Sequence, residues 1–214
     1  LTKARLLEAA GEEFAAQGFD GATIRSICAR AGTKNIAAVN YHFQDKEHLY
    51  EAALIEAHAC SKDRGDLAQF EGVPPEERLR AFVRKFLLDA LGEDRRNTWH
   101  DALMFREMIQ PSAASDALVR EVIRPRFVWL IATLRELCPE ADERRLHALA
   151  FSVVGQCLHY RVARPISVRL VGADAYAQLD PAYLTDHITT MILAALGLAP
   201  TFCERAEVTC REGR

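Results

Sequence analysis

Apolar residues recur along most of the chain at intervals of three and four, and runs that alternate with β-branched residues are nearly absent. That pattern predicts helices and no sheet. The first helix is expected over Thr2–Gln17, with Leu7, Ala10 and Phe14 on one stripe and Gly18 free to take positive φ where it stops. Thr23 is placed to cap a short helix, Ile24–Ala31, whose inward face is Ile24, Ile27 and Cys28. Gly32 breaks it, and a second short helix follows over Ile36–Phe43. Asp45 then caps a connector through Leu49, Ala52, Ala53 and Ile55 to about Ser61. After the polar stretch Ser61–Gly72, Pro74 and Pro75 open a helix carrying Leu79, Phe82, Val83, Phe86, Leu87 and Ala90, which Gly92 ends. Asn97 caps a helix to about Gln110. Ser112 or Ser115 begins one that reaches Leu137 and that Pro125 must kink or split. Asp142 caps a helix to about Val162, Asp180-Pro181 begins the last, and Arg164–Gln178 reads as irregular.

The fold class is therefore all-α, with nine or ten helices. A three-helix head over residues 1–50 precedes a larger helical body over 51–200 and a tail at 201–214 that reads as frayed. Half of the residues are apolar and Gly and Pro are few, so a core can be buried and disordered or collagen-like classes fall away. No apolar run approaches the length of a bilayer span. The six cysteines show no C-x-x-C, which suits reduced thiols and a cytoplasmic protein. Net charge is −3. Its distribution matters more, because Arg25, Arg30, Lys34 and Lys46 face only Asp45 between positions 23 and 46, a local basic patch on a slightly acidic chain.

Two short helices joined by a glycine-containing turn, with a longer helix before them, have the layout of a helix-turn-helix. The second carries small Ala37 and Ala38 for close approach to a groove, then Asn40, Tyr41 and His42 with hydrogen-bonding tips. Thr23, Arg25 and Lys46 sit at helix starts, where backbone N–H groups and the helix dipole favour phosphate. Lys34, Asn35, Ala38, Asn40, Tyr41 and His42 are expected to face the duplex. Asn40 is the best candidate for a base edge, since an amide pairs with adenine N6 and N7. Phe43 is expected to be core.

The run from Thr23 through Gly32, then Asn35-Ile-Ala-Ala-Val-Asn-Tyr-His-Phe43 and Asp45-Lys-Glu-His-Leu49, resembles the DNA-binding head of TetR-type transcriptional repressors over about residues 1–55. The turn Gly32–Asn35 is one residue longer than the usual pattern. Arg106-Glu-Met-Ile-Gln-Pro-Ser-Ala-Ala114 and Val154-Gly-Gln-Cys-Leu-His-Tyr-Arg-Val-Ala-Arg-Pro165 resemble the CecR-like C-terminal domain. The resemblance implies a homodimer on double-stranded, palindromic operator DNA, a ligand pocket in each body, and release by a small effector.

Bulky residues in the body exceed one core stripe. The expected pocket is lined by Phe86, Phe105, Met108, Phe127 and Ile131, with Arg106, Glu107, Gln156, His159 and Tyr160 as polar anchors for a small, partly apolar effector. The last two helices offer Leu146, Leu149, Val153, Cys157, Ile188, Met191, Ile192 and Ala195 as a face for a partner copy. No histidine or cysteine pair has metal-site spacing, no hydrolase or dinucleotide fingerprint occurs, and neither cofactor nor enzymatic activity is expected. Two other readings are an all-α small-molecule-binding or protein-docking module without DNA binding, and a thiol or metal sensor using Cys157 with His159.

Overall fold

The structure, a computed structural model, describes residues 3–59, 67–70, 72–91 and 99–198. Among them there is no strand, and no helix is long and apolar enough to cross a membrane. The stop at Gly92, the cap at Asn97, Cys60, and the tail with Cys203 and Cys210 lie outside the described residues. The chain forms α1 (Lys3–Gly21), α2 (Ile24–Arg30), α3 (Ala37–Phe43), α4 (Lys46–Ala59), a 3-10 turn at Leu67–Phe70, α5 (Pro75–Leu91), α6 (Trp99–Ile109) and α7 (Ser115–Leu118). A π-helical turn at Val119–Ile123 leads to α8 (Arg124–Leu137), α9 (Glu143–Val162), α10 (Arg164–Val171), α11 (Ala173–Ala177) and α12 (Pro181–Ala195).

Two compact units result. The first joins α1 to α4 with α6, α7 and the π-turn. Its core is Leu6, Ala10 and Phe14 of α1, Ile27 of α2, Val39 and Phe43 of α3, Leu49, Tyr50 and Leu54 of α4, and Leu103 and Met104 of α6. The buried stripe of α1 thus uses Leu6, while Leu7 is only partly buried. The second unit packs α5, α8 from Phe127 onward, α9 and α12 around Leu79, Leu87, Leu134, Val153 and Ile188.

Local chemistry accounts for the boundaries. Asp142 and Asp180 accept from the N–H groups of Arg145 and Tyr183 at 2.8 Å each, so both helices start at side-chain caps. Pro125 does interrupt its helix, and the interruption lies just before it. Arg124 N–H bonds to the carbonyl of Val119, five residues back, across the turn where a regular helix would drive the proline ring into a carbonyl. The stretch expected to be irregular, Arg164–Gln178, is instead α10 and α11. Pro165 stands at the first turn of α10, Gly172 at φ 88° divides the two, and Tyr176 donates its hydroxyl to the Tyr160 carbonyl at 2.8 Å, fastening α11 to α9.

Gly18 turns α1 with φ 75°, and the chain then makes one more helical turn to Gly21. A Cβ there would lie 2.7 Å from Arg106 Nη1. Gly18→Ala should therefore cost about 1–3 kcal/mol, read as a lower denaturant midpoint at unchanged slope. A variant as stable as the parent would contradict this placement.

Candidate nucleic-acid interface

The head is built from local hydrogen bonds upward. Thr23 Oγ1 accepts from Ser26 N–H at 3.0 Å and Ser26 Oγ accepts from Thr23 N–H at 3.1 Å, a reciprocal cap that starts α2. The other end of α2 is tied to α1. Arg30 donates through Nε and Nη2 to Glu13 Oε2 at 3.1 and 3.0 Å, and through Nη1 to Glu12 at 3.2 Å. Arg30 therefore belongs to an intramolecular pair and contributes little to the basic patch.

The turn after α2 uses Gly32 at φ 72°. Asn35 Oδ1 accepts from Ala37 N–H at 3.1 Å, and the Asn35 carbonyl accepts from the buried Cys28 thiol at 3.7 Å. Asn35 thus starts α3 as a turn residue, a structural role beside the DNA contact expected of it. In α3, residues three and four apart share a face. Val39 and Phe43 point inward, while Ala37, Asn40 and Tyr41 are exposed, Tyr41 to 85 %. Ala38 and His42 flank that face half-buried, and the Tyr41 and His42 rings meet edge to face at 4.9 Å. Phe43 is core, as its position in the stripe requires.

All nine residues expected at DNA are accessible. Thr23, Arg25, Lys34, Asn35, Asn40 and Tyr41 are exposed, and Ala38, His42 and Lys46 are intermediate. Arg25 and Lys34 are exposed and Lys46 is intermediate, so the burial that would have favoured a docking role for the head is not observed. Ala37, expected with Ala38 to allow close groove approach, lies on the exposed face with Asn40 and Tyr41, as the i, i+3, i+4 spacing requires.

The step from α3 to α4 is tight. Gln44 has φ 73° and ψ −57°, and Asp45 N–H bonds to the Phe43 carbonyl at 3.0 Å, a γ-turn of the rarer hand. Asp45 Oδ1 then accepts from His48 N–H at 2.8 Å and faces His48 Nδ1 at 2.7 Å. The pair holds the Asp45 carboxyl below its usual range and lifts the His48 imidazole above its own. Lys46, at the positive pole of α4, rests its ammonium 4.5 Å from the centre of the Phe19 ring.

The connector α4 is held from its far side. Tyr50 donates its hydroxyl to Glu107 Oε2 at 2.8 Å, and Glu107 Oε1 accepts from the N–H and the hydroxyl of Ser112, each at 2.8 Å, and from the Ser115 hydroxyl. Glu107, expected as a pocket anchor, is used up in this cluster. Tyr50 is absent from the sequence expectations, although a tyrosine inside an apolar stripe signals a buried hydroxyl in need of a partner.

The nine other residues expected at the pocket divide between the units. Phe105, Arg106 and Met108 stand in the first, where Phe105 and Met108 are exposed. Phe86, Phe127, Ile131, Gln156, His159 and Tyr160 stand in the second. There Ile131 is core, Phe127 lies against Phe151 and His147 at 5.3 and 6.0 Å, and His159 is exposed. Of these nine, Arg106 lines a cavity of about 400 Å³ within the first unit. Of the dimer-face residues, Leu146, Val153, Cys157, Ile188 and Ile192 are covered inside the chain's own core. Leu149 is half-buried, while Met191 and Ala195 are exposed. α5 packs against both α9 and α12, and its Leu79, Val83 and Leu87 share one core with the five covered residues. Cys157 is fully buried, and burial pushes its thiol up to about 12, opposite to the lowered values that mark reactive thiols.

Residues 6–53 match the family described as bacterial regulatory proteins, tetR family. Residues 75–196 match the C-terminal domain of the HTH-type transcriptional dual regulator CecR. The dual regulator CecR of Shigella flexneri is 27% identical over 207 residues, 89% of each chain. Two solved structures share the fold. AibR in complex with isovaleryl coenzyme A and operator DNA superposes with TM-score 0.59 at 18% identity, over 87% of this chain and 95% of that one. The regulator FadR from Bacillus subtilis, with stearoyl-CoA, gives 0.61 at 13% identity, over 89% and 97%.

The Asp45–His48 pair sets a sign that NMR can read. The favourable interaction is present while His48 is protonated and is lost as pH rises through its raised value. The His48 midpoint should lie above that of an ordinary histidine and fall in Asp45→Asn, which keeps a capping oxygen. A midpoint unmoved by that change would mean the pair does not form.

Proposed function

The chain belongs to the tetR family of bacterial regulatory proteins, with a CecR-type C-terminal domain, and we propose that this DNA-binding transcriptional regulator works in the cytoplasm as a homodimeric repressor released by a small effector. The observation that carries the reading is the exposed face of α3. Small Ala37 leaves room for groove approach beside Asn40 and Tyr41, while Val39 and Phe43 lock the opposite face into the head.

One head neutralises few phosphates and touches few base pairs, too little to select a site among the many competitors of a genome. Two heads related by a twofold axis double both terms and call for a palindromic operator whose half-sites lie one helical turn, about 34–36 Å, or a multiple apart. Exposed Phe151 on α9 with Tyr183 and Met191 on α12 support the second unit as the surface that joins the copies. Thr23, Arg25, Lys34 and Lys46 are the proposed phosphate contacts. Asn40, Tyr41 and His42 are the proposed groove contacts, flanked by Asn35 and Ala38.

For the effector, the aromatic grouping of Phe82, Phe86 and Trp129, with centroids 6.2 and 6.3 Å apart along the cluster, supports a partly apolar compound held in the second unit. The acyl-CoA complexes of AibR and FadR support the same class. Phe127, Gln156 and Tyr160 are the neighbouring residues proposed to define its size and orientation.

Fluorescence anisotropy on an operator fragment selected from random DNA tests the proposal. Binding should weaken steeply with salt, and Lys46→Gln should reduce the slope by about one per head. Asn40→Ala should weaken the selected site by about tenfold or more while leaving non-specific binding nearly unchanged. Salt-independent binding, or equal loss on specific and random DNA, would overturn the proposal.

A further inference from the structure

A cavity among the described residues lies wholly within the first unit and plays no part in the contacts proposed above. It encloses about 400 Å³ between the end of α1 (Gln17, Gly18, Phe19 and Asp20), Tyr50 of α4, and Arg106, Gln110, Pro111, Ser112 and Ala113 at the end of α6 and after it. That volume is at the lower end of the range that small molecules occupy.

Its chemistry is set by an unused cation. Arg106 is half-buried and enters no ion pair among the described residues. The neighbouring carboxylate, Glu107, is already filled by hydroxyl and N–H donors. The Arg106 side chain passes close to Gly18, with Nη1, Cζ and Cδ at 2.7, 3.3 and 3.7 Å from where a Cβ would stand. Only a glycine leaves the guanidinium that position. The cavity thus holds a planar five-donor group, partly stripped of water and in no ion pair with the Asp20 that shares the lining, against a wall of two amides and a serine.

We infer that this notch binds a small organic carboxylate, with the Arg106 guanidinium as its anion partner and Asp20 as acceptor for a hydroxyl or amine on the same molecule. The guanidinium fork matches the two oxygens of a carboxylate. Phe19, Pro111 and Ala113 offer apolar contact for a short carbon skeleton. Asp20 opposes a second negative charge in so small a space, so a monoanion is favoured over inorganic phosphate. The site lies in the first unit, apart from the effector residues proposed in the second. Its test uses no DNA, so either proposal can fail alone.

The full chain, ¹⁵N-labelled, is titrated at constant ionic strength with acetate, lactate, inorganic phosphate and the neutral ester methyl lactate. The backbone amides of Gly18, Gln110, Ser112 and Ala113 are followed. Acetate and lactate should give saturable shifts confined to these residues, lactate the tighter of the two, with methyl lactate and phosphate at least about tenfold weaker. Arg106→Gln should abolish saturation, Arg106→Lys should restore part of it, and Arg120→Gln should change nothing. Asp20→Ala, which removes the acceptor, should remove the advantage of lactate over acetate. An unchanged spectrum away from the notch shows that each variant is folded. Absence of saturation by either carboxylate, equal binding of phosphate or the ester, or unchanged binding in Arg106→Gln would each overturn the assignment.

Discussion

A carboxylate that is 4 % exposed dictates how the first unit is held together. Burial alone would push the Glu107 carboxyl up, yet the hydrogen bonds from Ser115, Ser112 and Tyr50 outweigh it and hold the group below its usual value. Such an arrangement is stable only when complete, because a buried charge that loses one donor keeps its desolvation cost and loses part of its compensation. The stabilisation is present through neutral pH and is lost as pH falls through the lowered value. Tyr50 supplies one of the donors and is itself enclosed by Phe14 and Phe19, at 4.7 and 5.1 Å between ring centres. The position of α4 against α6 and the residues after it is therefore fixed by directional bonds as well as by packing.

The short helices of the head inherit that constraint through α4. From its start the γ-turn at Gln44 leads back to α3 with no slack residue, and a side chain held at φ 73° stores strain of order 1–3 kcal/mol that the surrounding core must outweigh. Val39 and Phe43 provide the burial, and Arg30, paired with Glu12 and Glu13, keeps α2 against α1. The exposed face with Asn40 and Tyr41 is thus carried on short elements fixed from three sides. A protein with net charge −3 reaches a polyanion through such a patch because the field near a surface is set by the nearest charges, the rest being screened within about a Debye length.

Much of the head is legible in the chain alone because its signals are local. Thr23, Asp45, Asp142 and Asp180 are caps whose partners lie three residues away, and the inward and outward faces of α3 follow from helical spacing. The body is harder to read, since covering a helix face is a tertiary event. Leu146, Val153 and Ile188 look equally apolar whether a second copy or α5 covers them. Arg164–Gln178 reads as irregular because a helix of eight residues followed by one of five leaves no long stripe to detect. The Tyr50–Glu107 bond spans 57 positions, and no periodicity links its two ends. Gly18 is marked as a positive-φ position by its place at a stripe's end. Its second role, making room for Arg106, depends on a helix that begins at Trp99.

The bonded Glu107 carboxylate holds α4 within the first unit and, through α4, the face of α3. The most direct measurement is affinity for the selected operator and for random DNA, for the parent chain and for Glu107→Gln, whose amide nitrogen cannot accept from the same donors. The account predicts weaker binding of the selected site by the variant, with binding to random DNA nearly unchanged. Equal affinity of parent and variant for the selected site would contradict it.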